Sequence, residues 1–317
     1  MSGRTVRRIA GDDEAGLAAY VRIRNETTPD NTDSLDQVRW EDVTYPGEVA
    51  RFLAEEAGLA VGAASTGRIW MHEPGFERYW LGIWVLPAAR GRGTGSALYD
   101  AVSEAARAAG KTGFQTELSE VHVSGHRFLA NRGFVETDRS KMVRLDLAGI
   151  AAPEVNPPAG IRLTTLAERP DLVTGVHAVA LEAFPDIPSA DEPVDAGTLE
   201  AFVARDVERV GIPKEAFLVA LDEGSGKVAG YASLIFAAGS TTVAYHDMTA
   251  VARAYRGRGI ASALKRATIA WAVGRGLEAL DTGNDETNAP MRAVNLALGY
   301  RPLPDWVGIR GPLAPPR

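Results

Sequence analysis

Two short glycine-rich turns carry the residues whose types and spacing could bind a phosphate. The first consists of Arg90, Gly91, Arg92, Gly93, Thr94, Gly95 and Ser96. The second consists of Arg256, Gly257, Arg258, Gly259, Ile260, Ala261 and Ser262. Each follows an apolar run typical of a strand and precedes a helical pattern. Unpaired N–H groups in the first turn of a helix lie at the positive end of its dipole and attract anions, while glycine permits close approach. We therefore expect each turn to bind a polyphosphate.

A dinucleotide-binding fingerprint fits these turns poorly. It requires a third glycine where the two copies have Leu98 and Leu264. Both turns instead match the pattern Arg/Gln-x-x-Gly-x-Gly/Ala at every fixed position. This pattern resembles the pyrophosphate loop of the GNAT superfamily of acetyltransferases. The resemblance implies that acetyl-CoA is the ligand and that it acts as the acyl donor.

The strand before each turn has a further role by the same resemblance. In the superfamily this strand carries a bulge and diverges from its neighbour, so that its backbone pairs with the pantetheine arm. The resemblance assigns this contact to Ile83, Trp84 and Val85 in the first half and to Thr249, Ala250 and Val251 in the second. An ordinary core strand is the alternative.

A later motif of the superfamily is preserved better in the second half. There, Asn288 takes the place of the asparagine that begins a short helix near the pantetheine, whereas the first half has His122. Many members have a tyrosine four residues before the closing glycine, which protonates the leaving thiolate. Leu129 and Asn295 stand at these positions, so the usual proton donor is absent, although Asn295 could still donate a hydrogen bond.

A candidate base lies on the strand before the second turn. Simple alternation puts His246 and Met248 on one face of this strand and Asp247 and Thr249 on the other. We predict that Asp247 accepts the proton of the amine, since burial can raise the pKa of a carboxylate. A structural ion pair or cap is an equally weighted role for Asp247, and His246 is the alternative base. The comparable segment Trp80–Ile83 has no ionisable side chain, so the second half is predicted to be catalytic.

The similarity between the halves extends beyond the turns. Gly110 matches Gly276 and Gly133 matches Gly299, at the same offset of 166 residues that separates the two turns. A constant offset predicts a duplicated domain. We expect an N-terminal domain over residues 1–148, a linker rich in Ala, Pro and Gly over 149–160, and a C-terminal domain over 161–317. Tandem GNAT proteins that resemble mycothiol synthase show such a division, and residues 288–300 look like that group.

The order of the predicted elements indicates an α+β fold. Each half is expected to form a mixed, twisted sheet with helices on both faces, in an α/β layered arrangement. Helices are predicted over Val49–Glu56 and Leu199–Val210, and strands over Gly113–Leu118 and Ala279–Thr282.

The composition narrows the choice of partners. The formal net charge is −7 and the chain has no cysteine. An acidic chain does not favour nucleic acid or an anionic membrane as a partner, and no thiolate chemistry is possible. We expect no metal site, a cytoplasmic protein that is a monomer or homodimer, and a small primary amine as acceptor. A CoA-binding or sensing protein with little or no turnover is the first alternative, and a structural duplication in which neither turn binds CoA is the second.

Overall fold

A computed structural model describes residues 3–29, 31–45, 47–73, 75–188, 194–236 and 238–316. The chain divides into two compact units. Unit 1 comprises Met1–Thr137 and Val307–Arg317, and unit 2 comprises Asp138–Trp306. Each unit contains one of the two glycine turns.

Unit 1 is built around a mixed sheet. Its strands are β1 (Arg4–Arg8), β2 (Val49–Glu56), β3 (Leu59–Gly67), β4 (Arg78–Val85) and β5 (Gly113–Ser119). Its helices are α1 (Glu14–Thr27), α2 (Leu35–Thr44), α3 (Thr94–Ala108) and α4 (Val123–Ala130). The strand order is β1-β2-β3-β4-β5, all antiparallel except for the parallel pair β4 and β5, and β5 is followed by the C-terminal strand β13 (Trp306–Pro312).

Unit 2 repeats this plan. Its strands are β6 (Val135–Asp146), β7 (Ile161–Thr165), β8 (Leu218–Asp222), β9 (Val228–Phe236), β10 (Val243–Val251), β11 (Ala279–Asp285) and β12 (Arg301–Pro302). Its helices are α5 (Val173–Ala183), α6 (Leu199–Phe202), α7 (Ile260–Gly274) and α8 (Ala289–Ala297). The strand order is β7-β8-β9-β10-β11-β6, in which only β10 and β11 are parallel, and β12 pairs with β6.

The boundary between the two units differs from the one expected from the sequence at the last strand of each half, β6 and β13. From Asp138 onward β6 belongs to unit 2, although it precedes the expected linker, and most of β13 belongs to unit 1. Tyr99 on α3 donates its hydroxyl hydrogen to the carbonyl of Pro312 at 2.6 Å, which joins the C-terminal segment to unit 1. Each unit is therefore completed by a strand from the other half of the sequence. No helix or strand is present over residues 149–160.

Both faces of each sheet carry helices, as the α+β prediction required. In unit 1, Leu17 and Ile23 of α1 pack on one face, and Leu98 and Val102 of α3 pack on the other. In unit 2, Val176 of α5 and Ile269 of α7 occupy the corresponding two cores. None of the described helices combines the length and apolar character needed to cross a bilayer.

The predicted helix over Val49–Glu56 is wrong, because this segment is strand β2, paired with β1 and β3. Four consecutive residues, Arg51 to Ala54, are buried. A strand buried on both faces lacks alternation and resembles a short buried helix in sequence. The helix predicted over Leu199–Val210 begins correctly, with the Thr198 side chain accepting from the N–H of Ala201, but after Phe202 it continues as a π-helical turn over Val203–Val207.

Candidate active site

Each glycine turn forms the N-terminus of a helix. Gly93 and Gly259 are the N-cap residues of α3 and α7, with φ angles of 87° and 82°. Gly91 and Gly257 also have positive φ, at 71° and 73°. Side chains other than glycine are strained in this region, which explains why glycine recurs at these positions. The remaining residues of the two predicted loops, from Thr94 and from Ile260, form the first helical turn, whose N–H groups are available to an anion.

The first arginine of each turn holds the turn against the preceding strand. The Nε of Arg90 donates to the carbonyl of Val85 at 2.9 Å, and the Nε of Arg256 donates to the carbonyl of Val251 at 3.0 Å. Arg256 also forms an ion pair with Asp186 at 2.8 Å. These arginines therefore contribute mainly to the geometry of the turn.

Arg258 is available to a ligand at the second turn. Its guanidinium lies 5.3 Å from the centroid of the Tyr255 ring, and it forms no hydrogen bond or ion pair with any residue that the structure describes. The side chain is exposed. It can therefore add a mobile positive charge to the N-terminus of α7.

Part of the positive charge at the first turn is neutralised by a carboxylate of unit 1. Nη2 of Arg4 donates to the carbonyl of Arg92 at 2.7 Å and pairs with Glu56 at 2.8 Å. Nη1 of Arg4 lies 3.3 Å from the position that a Cβ would occupy at Gly93. A hydrogen bond from Arg4 lowers the pKa of Glu56, so this carboxylate stays charged beside the turn. An incoming phosphate would meet both the arginines and this carboxylate.

A gap opens between the two parallel strands of each unit. Pairing of β4 with β5 ends at Trp80 and Gln115, and pairing of β10 with β11 ends at Tyr245 and Asp281. Beyond these points the facing strand edges are not paired with each other, so their polar backbone groups can bind an extended ligand. The predicted backbone contacts, three residues in each of β4 and β10, lie on this diverging part.

The antiparallel partners of β4 and β10 reveal a difference between the units. The register of β10 with β9 shifts between His246, opposite Leu234, and Thr249, opposite Ala232. The register of β4 with β3 is continuous from Trp80 to Val85. Unit 2 thus has a β-bulge before its glycine turn, whereas the paired segment of β4 in unit 1 has none. The bulge inserts one residue, so Tyr245 corresponds to Trp80 and His246 to Leu81.

The bulge corrects the predicted arrangement of side chains on β10. Met248 packs against the α5-side core, and the Ser233 side chain lowers the pKa of Asp247, which places these two side chains close together. His246 and Thr249 are instead paired with Leu234 and Ala232, whose side chains belong to the α7-side cores. Asp247 and Met248 therefore share one face and His246 and Thr249 the other, because two consecutive residues of a bulge oppose a single residue of the partner strand.

The α5 face of β10 contains two interacting carboxylates. Burial raises the pKa of Asp247, although the charges of Arg209 and Arg205 oppose this effect. Burial also raises the pKa of Asp206 to about 6, and the charge of Asp247 adds to that rise. Asp206 belongs to the π-helical turn and pairs with Arg205 at 2.7 Å. A carboxylate with a raised pKa next to a strand gap is suited to accept a proton.

The α7 face of β10 contains a buried polar cluster, which we define as His246, Thr249, Lys265, Asn295 and Tyr300. His246 is 3% exposed and Lys265 is 1% exposed. Neither ring nitrogen of His246 has a hydrogen-bond partner among the described residues, and the same holds for the hydroxyls of Thr249 and Tyr300. The Lys265 ammonium lies 5.5 Å from the centroid of the Tyr300 ring.

The charge states within this cluster follow from burial. Burial lowers the pKa of Lys265 to about 7. Burial, with a contribution from Lys265, lowers the pKa of His246 well below its ordinary value. The prediction from sequence missed Lys265 and Tyr300. The signal for Lys265 was its position directly after Leu264, among the inward-facing residues of α7.

The two asparagines of the later motif occupy different environments. Asn288 caps α8, with its Oδ1 accepting from the N–H of Met291 at 3.3 Å. Asn295 is 2% exposed and donates from Nδ2 to Oδ1 of Asn284 at 2.6 Å, on the diverging part of β11. Oδ1 of Asn295 has no partner among the described residues. Within the same part of the chain, no group of three or more His, Asp or Glu side chains could hold a metal ion.

Known structures share this architecture over the whole chain. A tandem GNAT protein from the clavulanic acid biosynthesis pathway, solved without AcCoA, has a TM-score of 0.79 at 21% identity, covering 99% of this chain and 100% of the other. A GCN5-related N-acetyltransferase from Sphaerobacter thermophilus has a TM-score of 0.71 at 20% identity, covering 99% and 97% of the two chains. A glucosamine N-acetyltransferase region of a fungal multi-domain protein has a TM-score of 0.71 at 15% identity, and the match covers 38% of that chain. No curated protein is significantly similar in sequence.

The sequence also matches a family model twice. The model describes the acetyltransferase (GNAT) family and matches residues 17–134 and 180–300, one match in each half of the chain. The predicted tandem arrangement is confirmed, and the finer likeness to the mycothiol synthase group stays a prediction. The two diverging strand pairs and glycine turns are thus those of two GNAT domains, and the chain belongs to the GNAT family of N-acetyltransferases, which transfer an acyl group from acyl-CoA.

Proposed function

We propose that this protein transfers an acetyl group from acetyl-CoA to the primary amine of a small molecule and that unit 2 carries out the reaction. The bulge in β10 is the observation that carries this proposal. It turns Asp247 toward the α5 face beside the strand gap, while the backbone that follows it leads directly into the second glycine turn. Unit 1 has a glycine turn without this bulge and without an ionisable residue at the comparable position.

The donor would be held mainly by backbone groups. Its diphosphate would contact the N-terminal N–H groups of α7, with Arg258 as the available cation, and its pantetheine arm would pair with Thr249, Ala250 and Val251. Holding the thioester and the amine in position supplies much of the rate enhancement in such a reaction.

Asp247 would serve as the base. The amine nitrogen attacks the thioester carbonyl, a C–N bond forms, and the C–S bond breaks. The proton released by the amine goes to the Asp247 carboxylate, and the departing CoA thiolate takes a proton from solvent. His246 is less suited to this role because it lies on the opposite face of β10 and its pKa is lowered by burial.

Asn295 favours the second candidate function, a CoA-binding or sensing protein with little turnover. An amide can donate a hydrogen bond to a developing thiolate or oxyanion, but it cannot supply a proton near neutral pH. Where the family often has a tyrosine, this chain therefore has a group that stabilises charge without acting as an acid.

Calorimetry and a thiol-release assay test the proposal together. Acetyl-CoA should bind, and at least one member of a panel of primary amines should release CoA thiol. Gly259→Glu should abolish both at unit 2, because it adds a side chain and a negative charge at a φ of 82°. Gly276→Glu is the matched control, since it introduces the same side chain at a φ of 71° beyond the end of α7. Tight binding without release for any amine would support the sensing function, and no binding would overturn both.

A further inference from the structure

Arg209 lies on the same face of unit 2 as Asp247. It follows the π-helical turn, in a segment fixed to the end of β9 by a hydrogen bond of 2.8 Å from the N–H of Phe236 to the carbonyl of Gly211. A Cβ at Gly211 would lie 3.4 Å from Cγ1 of Ile235. Ile235 and Ser233 project from the same face of β9, because they are two residues apart. The backbone therefore presents Arg209 to the face that carries Ser233 and Asp247, in agreement with the effect of the Arg209 charge on the pKa of Asp247.

The guanidinium of Arg209 lies close enough to Asp247 and Asp206 for its charge to lower the pKa of both carboxyls, but it is not ion-paired with either. It forms no hydrogen bond or ion pair with any residue in the described part of the chain, and its Nε is buried without a partner. The neighbouring Arg205 differs, because it pairs with Asp206 at 2.7 Å and donates to the carbonyl of Ala196 at 3.2 Å. A buried N–H without an acceptor is costly, so natural proteins rarely retain one unless a ligand or water completes it.

A second polar group on this face also lacks a partner. The hydroxyl of Tyr231 on β9 is unpaired among the described residues, and the side chain is 1% exposed. The charges of Asp206 and Asp247 both act on it, which places it in their vicinity. Among the described residues, this face therefore holds the Asp247 carboxylate together with a guanidinium and a hydroxyl that lack hydrogen-bond partners, while Asp206 and Arg205 neutralise each other.

On the corresponding face of unit 1, two arginines form internal ion pairs. Arg51 pairs with Glu41 at 2.7 Å and with Asp42 at 2.6 Å, and Arg24 pairs with Asp33. The charges of these two arginines are therefore compensated within unit 1. Arg209 differs from both of them, because it has no ion pair among the residues that the structure describes.

We propose that the acceptor is an amine that also carries an anionic group, in the first place the carboxylate of an amino acid, and that Arg209 binds this anion while Asp247 receives the amine. This inference rests on the proposed function for the identity of the acceptor site. One negative and one positive group match the two charges of an amino acid, and a guanidinium binds a carboxylate through two parallel hydrogen bonds. The Tyr231 hydroxyl supplies a further hydrogen bond to the same ligand.

The test compares amines that differ only in the anion. The wild-type protein, in the presence of CoA, is titrated calorimetrically with phenylalanine and phenethylamine, with lysine and cadaverine, and with phosphoethanolamine and ethanolamine. The anionic member of at least one pair should bind about 10- to 100-fold more tightly than its partner. A preference confined to the third pair would support an amine with an anionic group as the acceptor and identify the anion as a phosphate. Equal affinity within all pairs, or no binding of any anionic member, would overturn the proposal.

Variants then identify the residue responsible. Arg209→Gln should remove the preference by weakening binding of the anionic ligand about 10- to 100-fold while leaving the affinity for the partner amine without the anion unchanged. Arg209→Lys should restore part of it, because a single ammonium lacks the fork geometry. Arg169→Gln, which alters an exposed arginine paired with Asp171, is the control and should retain the full preference. A preference that survives Arg209→Gln would overturn the proposal.

Binding and turnover separate this inference from the proposed function. Anion-dependent binding through Arg209 without thiol release would uphold the inference and contradict acetyl transfer. Thiol release with amines that lack an anion, at rates equal to those of their anionic partners, would uphold acetyl transfer and overturn the inference.

Discussion

The two units share a glycine turn but fill the space behind it in opposite ways. In unit 1 the positions next to the turn form a hydrophobic core, whereas in unit 2 the same positions form the buried polar cluster. The corresponding pairs are Leu81 and His246, Ile83 and Thr249, Tyr99 and Lys265, Leu129 and Asn295, and Phe134 and Tyr300. The geometry of the glycine turn is thus compatible with either interior, because it depends on backbone atoms at the start of the helix.

The opposite face of the sheet shows a second contrast. In unit 1 the Trp84 indole covers Gly82, where an added Cβ would lie 2.2 Å from Cη2 of the indole. The Trp84 indole also packs edge-on against the Tyr20 ring, with a distance of 5.6 Å between the ring centroids. In unit 2 the bulge brings Asp247 to this face instead. Unit 1 therefore uses this face for packing, while unit 2 keeps polar groups there at a cost in stability.

The largest expected effect concerns Asp247. Asp247→Asn should lower kcat/KM by about 10²- to 10⁴-fold, since the amide cannot accept the proton. The affinity for acetyl-CoA should stay within about twofold of the wild type, because the donor contacts lie elsewhere. Thiol release and calorimetry measure the two effects, with Asp171→Asn as an exposed control. Unchanged turnover would remove Asp247 from the chemistry.

The pH dependence of the wild type sharpens the same prediction. The base must be ionised, so kcat/KM should rise with pH as the carboxylate pair loses its protons. Burial raises the pKa of Asp247 and brings that of Asp206 to about 6. The rise in kcat/KM should therefore extend to a higher pH than the titration of an aspartate with an ordinary pKa would give. A rise completed below pH 5 would contradict a raised pKa at this site.

Exchanging the interiors should affect stability. Leu129→Asn places an amide in the unit 1 core and should lower the free energy of unfolding by about 2–4 kcal/mol, from lost packing and an unpaired polar group. The reverse change, Asn295→Leu, should alter stability by less than about 1 kcal/mol, because it removes one unpaired oxygen but leaves Asn284 without its donor. Scanning calorimetry of both variants tests the comparison. Equal losses in the free energy of unfolding would show that the two interiors tolerate the exchanged side chains equally well.

Lys265 should destabilise unit 2 in a pH-dependent way. Its pKa falls from 10.5 to about 7 on folding, so the unfolded state binds more protons between these values and stability rises with pH across this window. Lys265→Met should therefore raise the free energy of unfolding by about 1–4 kcal/mol at pH 7 and below, with a gain that shrinks toward pH 10. Urea unfolding at several pH values measures this. Lys227→Met, at an exposed lysine, should show no such trend.

The smallest effect is expected at the first turn. Glu56→Gln removes the carboxylate beside Arg4 and Arg92 and should strengthen CoA binding at unit 1 by about two- to fivefold at low salt. Calorimetry in a Gly259→Glu background isolates this site. Asp222→Asn, at the corresponding position of unit 2, serves as the matched comparison in the wild-type background. An unchanged affinity at low salt would mean that Glu56 does not limit anion binding.

Part of the site could be predicted because its determinants are local. The positive φ of Gly93 and Gly259 and the helix N-termini that follow them depend on a few consecutive residues. The duplication was visible from a constant offset. Asp247 was identified as ionisable next to the turn, but its face was not, because alternation cannot reveal a bulge. Arg209 was missed because its role depends on the π-helical turn and on what it fails to contact.

The sequence by itself determined two glycine turns at helix N-termini and a duplicated α+β fold, since backbone conformation at glycine and helix polarity are properties of short segments. Only the tertiary structure decided which strand completes each sheet, where β10 bulges, and which buried side chains lack partners. Those features arise from pairing and packing between residues far apart in the chain, so no single segment encodes them.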